Sequence, residues 1–334
     1  MKAYQFEKFG AGLAGLVLAE RPEPEPGPHQ VLIRVHARSL NFRDARILAG
    51  LYPVPGKLGI TALSDGAGEV VATGEGVTRV AAGDRVAASY FPQWRDGRFA
   101  MQLALDQFGC TRDGMLAPFV VVDENAVVKI PSHLSYEEAA ALPCAGVTAW
   151  AALLGPRPVM PGDTVLTIGS GGVALFALQF ARMFGARVIA LTSTDEKAER
   201  LKQLGADDVV NYRAVPQWEH RVRELTDGGV EHVIDTGGLD TLPRSIAATR
   251  EEGVVTVVAA LGPGQLDPRL FANPVMVRRI YVGSRAHFEA MNRAIAAHRL
   301  KPVIDRVFGF GQTREAYEHF EARRHFGKVV IAGG

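Results

Sequence analysis

The chain has 334 residues, 47% of them hydrophobic, which is enough to bury a large core and to form two domains or one large α/β unit. Lys and Arg (37) nearly balance Asp and Glu (36), and the formal net charge of +1 is not gathered into blocks of either sign. That balance excludes the footprint of a nucleic-acid or membrane binder and makes small molecules the expected partners. The opening MKAYQFEKFG has no apolar core of a signal peptide, and no apolar run reaches the ~18 residues of a membrane span, so a cytoplasmic location is expected. Two cysteines, Cys110 and Cys144, exclude a disulfide framework and a thiolate-cluster metal site.

Taken in chain order, RPEPEPGPH reads as a short extended connection. QVLIRVHA, GAGEVVATG, GDRVAAS and APFVVVDENAVVKI are short β-rich runs separated by Gly, Pro and Asp turn signals, a spacing that suits a barrel or sandwich. The pattern turns helical at SYEEAAALPCAGVTAWAALL, with Ser135 as N-cap and Glu138 completing a capping box. From GDTVLTIG onward, apolar strands (RVIALTS, DDVVNY, EHVIDTGG, VVTVVAALG) alternate with helical stretches (DEKAERLKQLG, PQWEHRVRELTDGG, TLPRSIAATREEG). Strand and helix in repeated alternation imply a parallel sheet covered on both faces. After RRIYVGS and FEAMNRAIAAHRL, the tail from PVIDRVFGF to GKVVI is expected to return to the first domain. The expected domains are thus 1–128, 129–284 and the returning segment 285–334.

The stretch TIGSGGVALF carries the chemistry. Gly169, Gly171 and Ala174 hold the three small positions of G-x-G-x-x-G/A, with Ser170 and Gly172 between them and Val173 opening an apolar helix. Gly169 permits the tight turn and Gly171 lets the backbone approach a pyrophosphate. Ala174 lets the helix pack close, with its N-terminal N–H groups facing the phosphates. Strand, loop, helix and second strand follow in order, which points to a dinucleotide.

An NAD-preferring protein places an acid at the end of the second strand to bind the ribose hydroxyls. Here Thr192 and Ser193 stand there, Lys197 follows one helical turn later to meet a 2′-phosphate, and Tyr212 after the third strand closes on the adenosine side, so NADP(H) is expected. One or two such contacts at roughly 1.5–3 kcal/mol each give a preference of tenfold to several hundredfold. The alternative is that Ser193 caps the next helix through Ser-x-x-Glu with Glu196 while Lys197 is a solvated charge.

These motifs, with SLNFRDARILAGLYP, DGAGEVVATGEGV, LPCAGVTAWAAL, LGADDVVNYR and HFGKVVI, resemble the medium-chain dehydrogenase/reductase superfamily over nearly the whole chain, and within it the zinc-independent quinone oxidoreductase-like branch. The resemblance implies an α/β protein: a GroES-like β-barrel catalytic domain, a Rossmann doubly wound domain holding the cofactor across a cleft, and a homodimer joined near Tyr281. The zinc enzymes of that superfamily hold a catalytic metal with Cys, His and Cys. The matching positions here are Asn41, Ser64 and Cys144, and a single thiol does not make a three-ligand zinc site. No metal is expected, and Cys144 reads as a small buried hydrophobe.

Without a Lewis acid the substrate must itself be electrophilic, as quinones and α,β-unsaturated carbonyls are. The resemblance implies catalytic roles for Asn41, as donor to the developing oxyanion, for Asp44, and for Tyr52, as proton donor; the alternatives are an internal hydrogen bond for Asp44 and a pocket-lining ring for Tyr52. It places Thr148, Val282 and Ser284 at the nicotinamide. Thr236, Gly237, Ala260 and Leu261 fall at strand ends where open α/β sheets bind ligands. Lys328 either reaches the cofactor or covers the cleft. Trp94 either shapes the substrate entrance or fills a patch beneath a long loop. The expected activity is NADPH-dependent reduction of a quinone or related electrophile; reduction of an enoyl thioester and a non-enzymatic NADPH-binding role are the alternatives.

Overall fold

Alternation in QVLIRVHA sets the first sheet: Val31, Ile33, Val35 and Ala37 are at most 2% exposed, and the residues between them face the other way. The computed structural model describes residues 1–258 and 264–334 and divides into two units, Met1–Val147 with Gly283–Gly334, and Thr148–Val282.

In the first unit, β1 (Lys2–Phe6) and β2 (Leu16–Glu20) form an antiparallel ribbon. They are followed by β3 (Gln30–Ser39), α1 (Phe42–Leu48), β4 (Asp65–Thr73), β5 (Arg85–Ala88), β6 (Phe119–Asp123), β7 (Val127–Lys129) and α2 (Tyr136–Ala140). The Ser135 hydroxyl accepts from the Glu138 N–H at 3.2 Å and the Glu138 carboxylate accepts from the Ser135 N–H at 2.8 Å, the reciprocal capping box that the sequence predicts. A π-helical turn, Leu142–Gly146, then leads into α3 (Val147–Leu153), at whose first residue the two units divide. Segment 129–147 packs with the first unit because its backbone is tied there: Ala140 O accepts from Ser39 Oγ at 2.8 Å and the Cys144 N–H donates to Asp65 Oδ2 at 3.1 Å.

In the second unit, β8 (Thr164–Ile168), α4 (Gly172–Met183), β9 (Arg187–Thr192), α5 (Asp195–Gln203), β10 (Asp208–Asn211), α6 (Trp218–Leu225), β11 (Val230–Asp235), α7 (Leu242–Ala248), β12 (Thr249–Val257) and β13 (Met276–Arg279) follow in turn. The strands pair in the order β10-β9-β8-β11-β12-β13, all parallel. This is the doubly wound Rossmann sheet, whose order reverses beside β8, the place where such sheets bind ligands. The helix expected over TLPRSIAATREEG stops at Ala248. Its polar end is strand, because Arg250 reaches across to Glu231 of β11 at 2.7 Å.

The chain then re-enters the first unit through α8 (Arg285–His298), β14 (Ile304–Gly309), α9 (Thr313–Glu321) and β15 (Lys328–Ala332), where β15 lies antiparallel to β3. The resulting sheet, β14-β15-β3-β4-β5-β7 with β6 also on β3, is the GroES-like barrel. Among the described residues, no helix is long and apolar enough to cross a membrane.

Asp235 organises the carboxyl end of β11. Its carboxylate accepts from the Gly237 and Gly238 N–H groups (2.9 and 3.0 Å), Thr241 Oγ1 (2.6 Å) and Ser245 Oγ (2.6 Å). Asp235→Ala leaves buried donors without acceptors and is expected to lower stability by about 3 kcal/mol, read by urea unfolding; a loss below about 1 kcal/mol would contradict this role.

Candidate functional site

The register of β3 brings three distant residues together. Ser39 pairs with both Asp65 and Val330, so Asn41, just after β3, Asp65 at the start of β4 and Lys328 at the start of β15 meet at one end of three neighbouring strands. Lys328 is 3% exposed, and its ammonium donates to Leu40 O at 2.6 Å and Asn41 Oδ1 at 2.5 Å, with Asp65 Oδ2 at 4.0 Å. An ammonium has only donors, so it fixes the amide: Asn41 Oδ1 faces Lys328, and Nδ2 is left buried with no hydrogen-bond partner. Asp65 also accepts from Ser64 Oγ at 2.7 Å and, as above, from the Cys144 amide. Burial pulls the Lys328 ammonium below its ordinary value, opposed by Asp65. Burial also pushes the Cys144 thiol up, reinforced by Asp65.

A second cluster surrounds Arg43. Its guanidinium lies 5.4 Å from the ring centre of Tyr52 and 5.0 Å from that of Tyr90, donates to Phe108 O at 2.8 Å and to Gln107 Oε1 at 3.3 Å, and stands 3.4 Å from Asp44 Oδ1. Both phenols reach the same Gln107 oxygen at 3.0 Å and lie 3.1 Å from each other. Three donors compete for an oxygen with two lone pairs, so one phenol proton always has another place to go. Asp44 is fully buried and accepts from the Asn41 N–H at 2.8 Å, holding the start of α1. Tyr90 and Gln107 escaped the sequence reading because they come from an irregular segment with no motif; the aromatic run SYFPQW was the only signal. Trp94 from that run packs with Phe91, Phe99 and His287, ring centres 5.0–6.2 Å apart, as an aromatic patch.

In the second unit, Gly169 has φ +87°, a left-handed conformation that suits glycine, and its N–H donates to Leu191 O at 2.9 Å. Gly171 caps α4, and a Cβ added there would meet nothing within 4 Å: the space over the first turn, begun by Gly172 and Val173, is open. Ser170 is buried in the loop. Thr192 ends β9 with its Oγ1 buried and unpartnered. These residues fit a dinucleotide: an open cradle at a helix start and an orphaned hydroxyl beside it. The cap of α5 falls on Thr194, whose Oγ1 accepts from the Lys197 N–H at 3.3 Å, and not on Ser193, so the Ser193 hydroxyl lies outside the cap. The nearest acid, Asp195, accepts from Asn211 Nδ2 at 2.8 Å. Tyr212, 37% exposed, follows β10 directly.

The remaining expected ligands of the cofactor lie as follows. Thr236 Oγ1 donates to Ile168 O at 2.7 Å and Gly237 serves the Asp235 turn. Thr148 is buried within α3. Val282 has φ +46°, unusual for a β-branched residue, and Ser284 is the N-cap of α8, its Oγ accepting from the His287 N–H at 3.2 Å. Ala260 and Leu261 lie outside the described residues.

The donor set does not fit a zinc ion. Asn41 turns its oxygen to an ammonium, Ser64 donates to Asp65, Cys144 alone of the three is a usual zinc ligand, and a cation already fills hydrogen-bonding distance. Among the described residues, no group of three or more His, Cys, Asp and Glu is arranged to hold a metal ion.

Comparison with known proteins matches residues 27–132 to the alcohol dehydrogenase GroES-like domain and residues 172–297 to the zinc-binding dehydrogenase family. A zinc-type alcohol dehydrogenase-like protein of Schizosaccharomyces pombe is 42% identical over 91% of either chain, and a quinone oxidoreductase of Pseudomonas aeruginosa is 31% identical over 99% of either. Among solved structures, an NAD-dependent alcohol dehydrogenase superposes with a TM-score of 0.89 at 35% identity, and a mycobacterial protein complexed with NADPH with a TM-score of 0.82 at 28% identity, each covering both chains in full.

Burial, opposed by Arg43, pushes the Asp44 carboxyl up to about 6. A raised folded value means that its stabilising contribution is complete below the unfolded value of ~3.9 and is lost as pH rises through about 6. Asp44→Asn, which resembles the protonated acid, is therefore expected to gain on the parent chain by up to about 3 kcal/mol between pH 4 and pH 7.5 in urea unfolding; an equal difference at both pH values would contradict it.

Proposed function

We propose that this chain, which belongs to the medium-chain dehydrogenase/reductase superfamily of oxidoreductases, is an NADPH-dependent reductase that works without zinc and delivers hydride to a quinone or another conjugated carbonyl. The observation that carries this reading is the donor set around Cys144: an amide, a hydroxyl and one thiol stand at the positions that match the superfamily's zinc ligands, with an ammonium beside them. With no Lewis acid to activate a simple alcohol, the substrate must accept hydride unaided, and a quinone or enone delocalises the resulting charge onto oxygen. The likeness to the P. aeruginosa quinone oxidoreductase supports this substrate class.

NADPH bound over the Gly169–Gly171 loop would supply the hydride. The chain's own residues bind and orient. The α4 N-terminus and Gly171 receive the pyrophosphate. Ser193, with its hydroxyl outside the helix cap, and Lys197 in the first turn of α5 take the 2′-phosphate, while Asp195, which would repel it, is drawn to Asn211. The likeness to the mycobacterial NADPH complex supports that preference. The buried, unpartnered Asn41 Nδ2 donates to the developing oxyanion. Tyr52 shares its proton with Tyr90 and Gln107 and is the candidate proton donor. A homodimer would use the free edge of β13.

Initial rates of NADPH oxidation by chelator-treated protein with a para-quinone test the activity. Turnover that survives chelation is expected; loss on chelation, turnover of an enoyl thioester alone, or NADPH binding with no turnover would each overturn the reading. Lys197→Ala is expected to reduce the preference for NADPH over NADH about tenfold, the worth of one charge-assisted contact. An unchanged ratio would remove Lys197 from the phosphate site.

A further inference from the structure

Lys328 is the buried cation that the binding scheme above leaves unused. Three observations converge on it. Its ammonium and the Cys144 amide meet the same Asp65 oxygen, at 4.0 and 3.1 Å, so the cation lies beside the positions that match the zinc ligands of the metal-dependent enzymes. It is held by Leu40 O and Asn41 Oδ1, both fixed by the β3–β15 pairing and the start of α1. Finally, the amide it holds has its other end buried and unpartnered, a donor that a substrate oxygen can satisfy.

We propose that the Lys328 ammonium takes the place of the catalytic metal as the fixed cation of this site and is the positioning residue that turns the Asn41 amide, so that its N–H, and not its oxygen, meets the substrate carbonyl. A carbonyl gaining negative charge is stabilised by a donor and repelled by an acceptor, so the orientation of one amide decides whether Asn41 helps or hinders. Free asparagine amides turn over readily; a neighbour with donors only removes the wrong orientation. The inference rests on the reductase reading, since it assigns Asn41 to the substrate oxygen.

A double-substitution cycle on Asn41 and Lys328 tests it. Lys328→Met is expected to lower kcat for quinone reduction about tenfold or more while the KM for NADPH stays within about twofold. The same substitution made when Asn41→Ser is already present is expected to change kcat less than about twofold, because the amide through which Lys328 acts has gone. Equal factors in both backgrounds, or a kcat of Lys328→Met within about twofold of the parent, would overturn the proposal. Removing the ammonium leaves Asp65 unbalanced, and if Lys328→Met does not fold, the cycle is run on the Asp65→Asn background, where the buried charges remain matched.

A second arm needs no activity. Asn41→Cys with Ser64→His restores a Cys, His and Cys set with Cys144, and metal content after purification with zinc reads occupancy. Stoichiometric zinc is expected only when Lys328→Met is added. Equal zinc with Lys328 in place would show that the ammonium does not occupy the metal position. A parent chain inert to every quinone would sink the reductase reading, and this metal arm would still decide where the cation stands.

Discussion

The hydrogen bond from the Lys328 ammonium to Asn41 Oδ1 is the contact on which the rest of the first unit's polar cluster depends. Two cations, Arg43 and Lys328, and two carboxylates, Asp44 and Asp65, lie buried within one region of the first unit, and they balance. Such groups are tolerable only when paired and hydrogen-bonded, because an uncompensated buried charge costs about 3–5 kcal/mol. The pairing also fixes geometry. Asp65 grips the Cys144 amide, Asp44 grips the start of α1, and Lys328 holds the Asn41 amide by its oxygen.

The second unit meets a different requirement by simpler means. A phosphate-binding loop needs backbone N–H groups at a helix start and space for an anion. Gly169 at positive φ makes the turn, and Gly171 leaves the volume open. Just beyond β9 the chain carries a hydroxyl, Ser193, where NAD-preferring proteins place an acid. Asn211 Nδ2 donates to Asp195, one of the two acids in the first turn of α5. The Rossmann sheet supplies position, and a few side chains at its carboxyl edge supply chemistry.

What the sequence made legible divides by range. Local signals read well: the capping box at Ser135, the alternation in β3 and the strand–glycine–helix order around Gly169 each depend on residues a few positions apart. The helix cap after β9 misled by one residue because Ser193 and Thr194 are both good caps, and only the backbone angle at the strand end chooses between them. The segment around Cys144 looks like the start of the nucleotide unit by periodicity, yet its backbone is tied to Ser39 and Asp65. Lys328 was the hardest to read. It stands 287 positions from Asn41, on a strand whose pattern says only that it is buried, and its meaning arises from the β3–β15 register alone. Tyr90 and Gln107 were hidden for the same reason, since irregular segments carry no period from which a side chain's direction could be inferred.

The most direct test of the account is an anomalous-scattering map at the zinc absorption edge, from crystals of the parent chain grown with zinc. The account predicts no anomalous peak at Cys144 Sγ and continuous density joining the Lys328 ammonium to Asn41 Oδ1. A zinc peak bonded to Cys144, with Lys328 displaced, would contradict it.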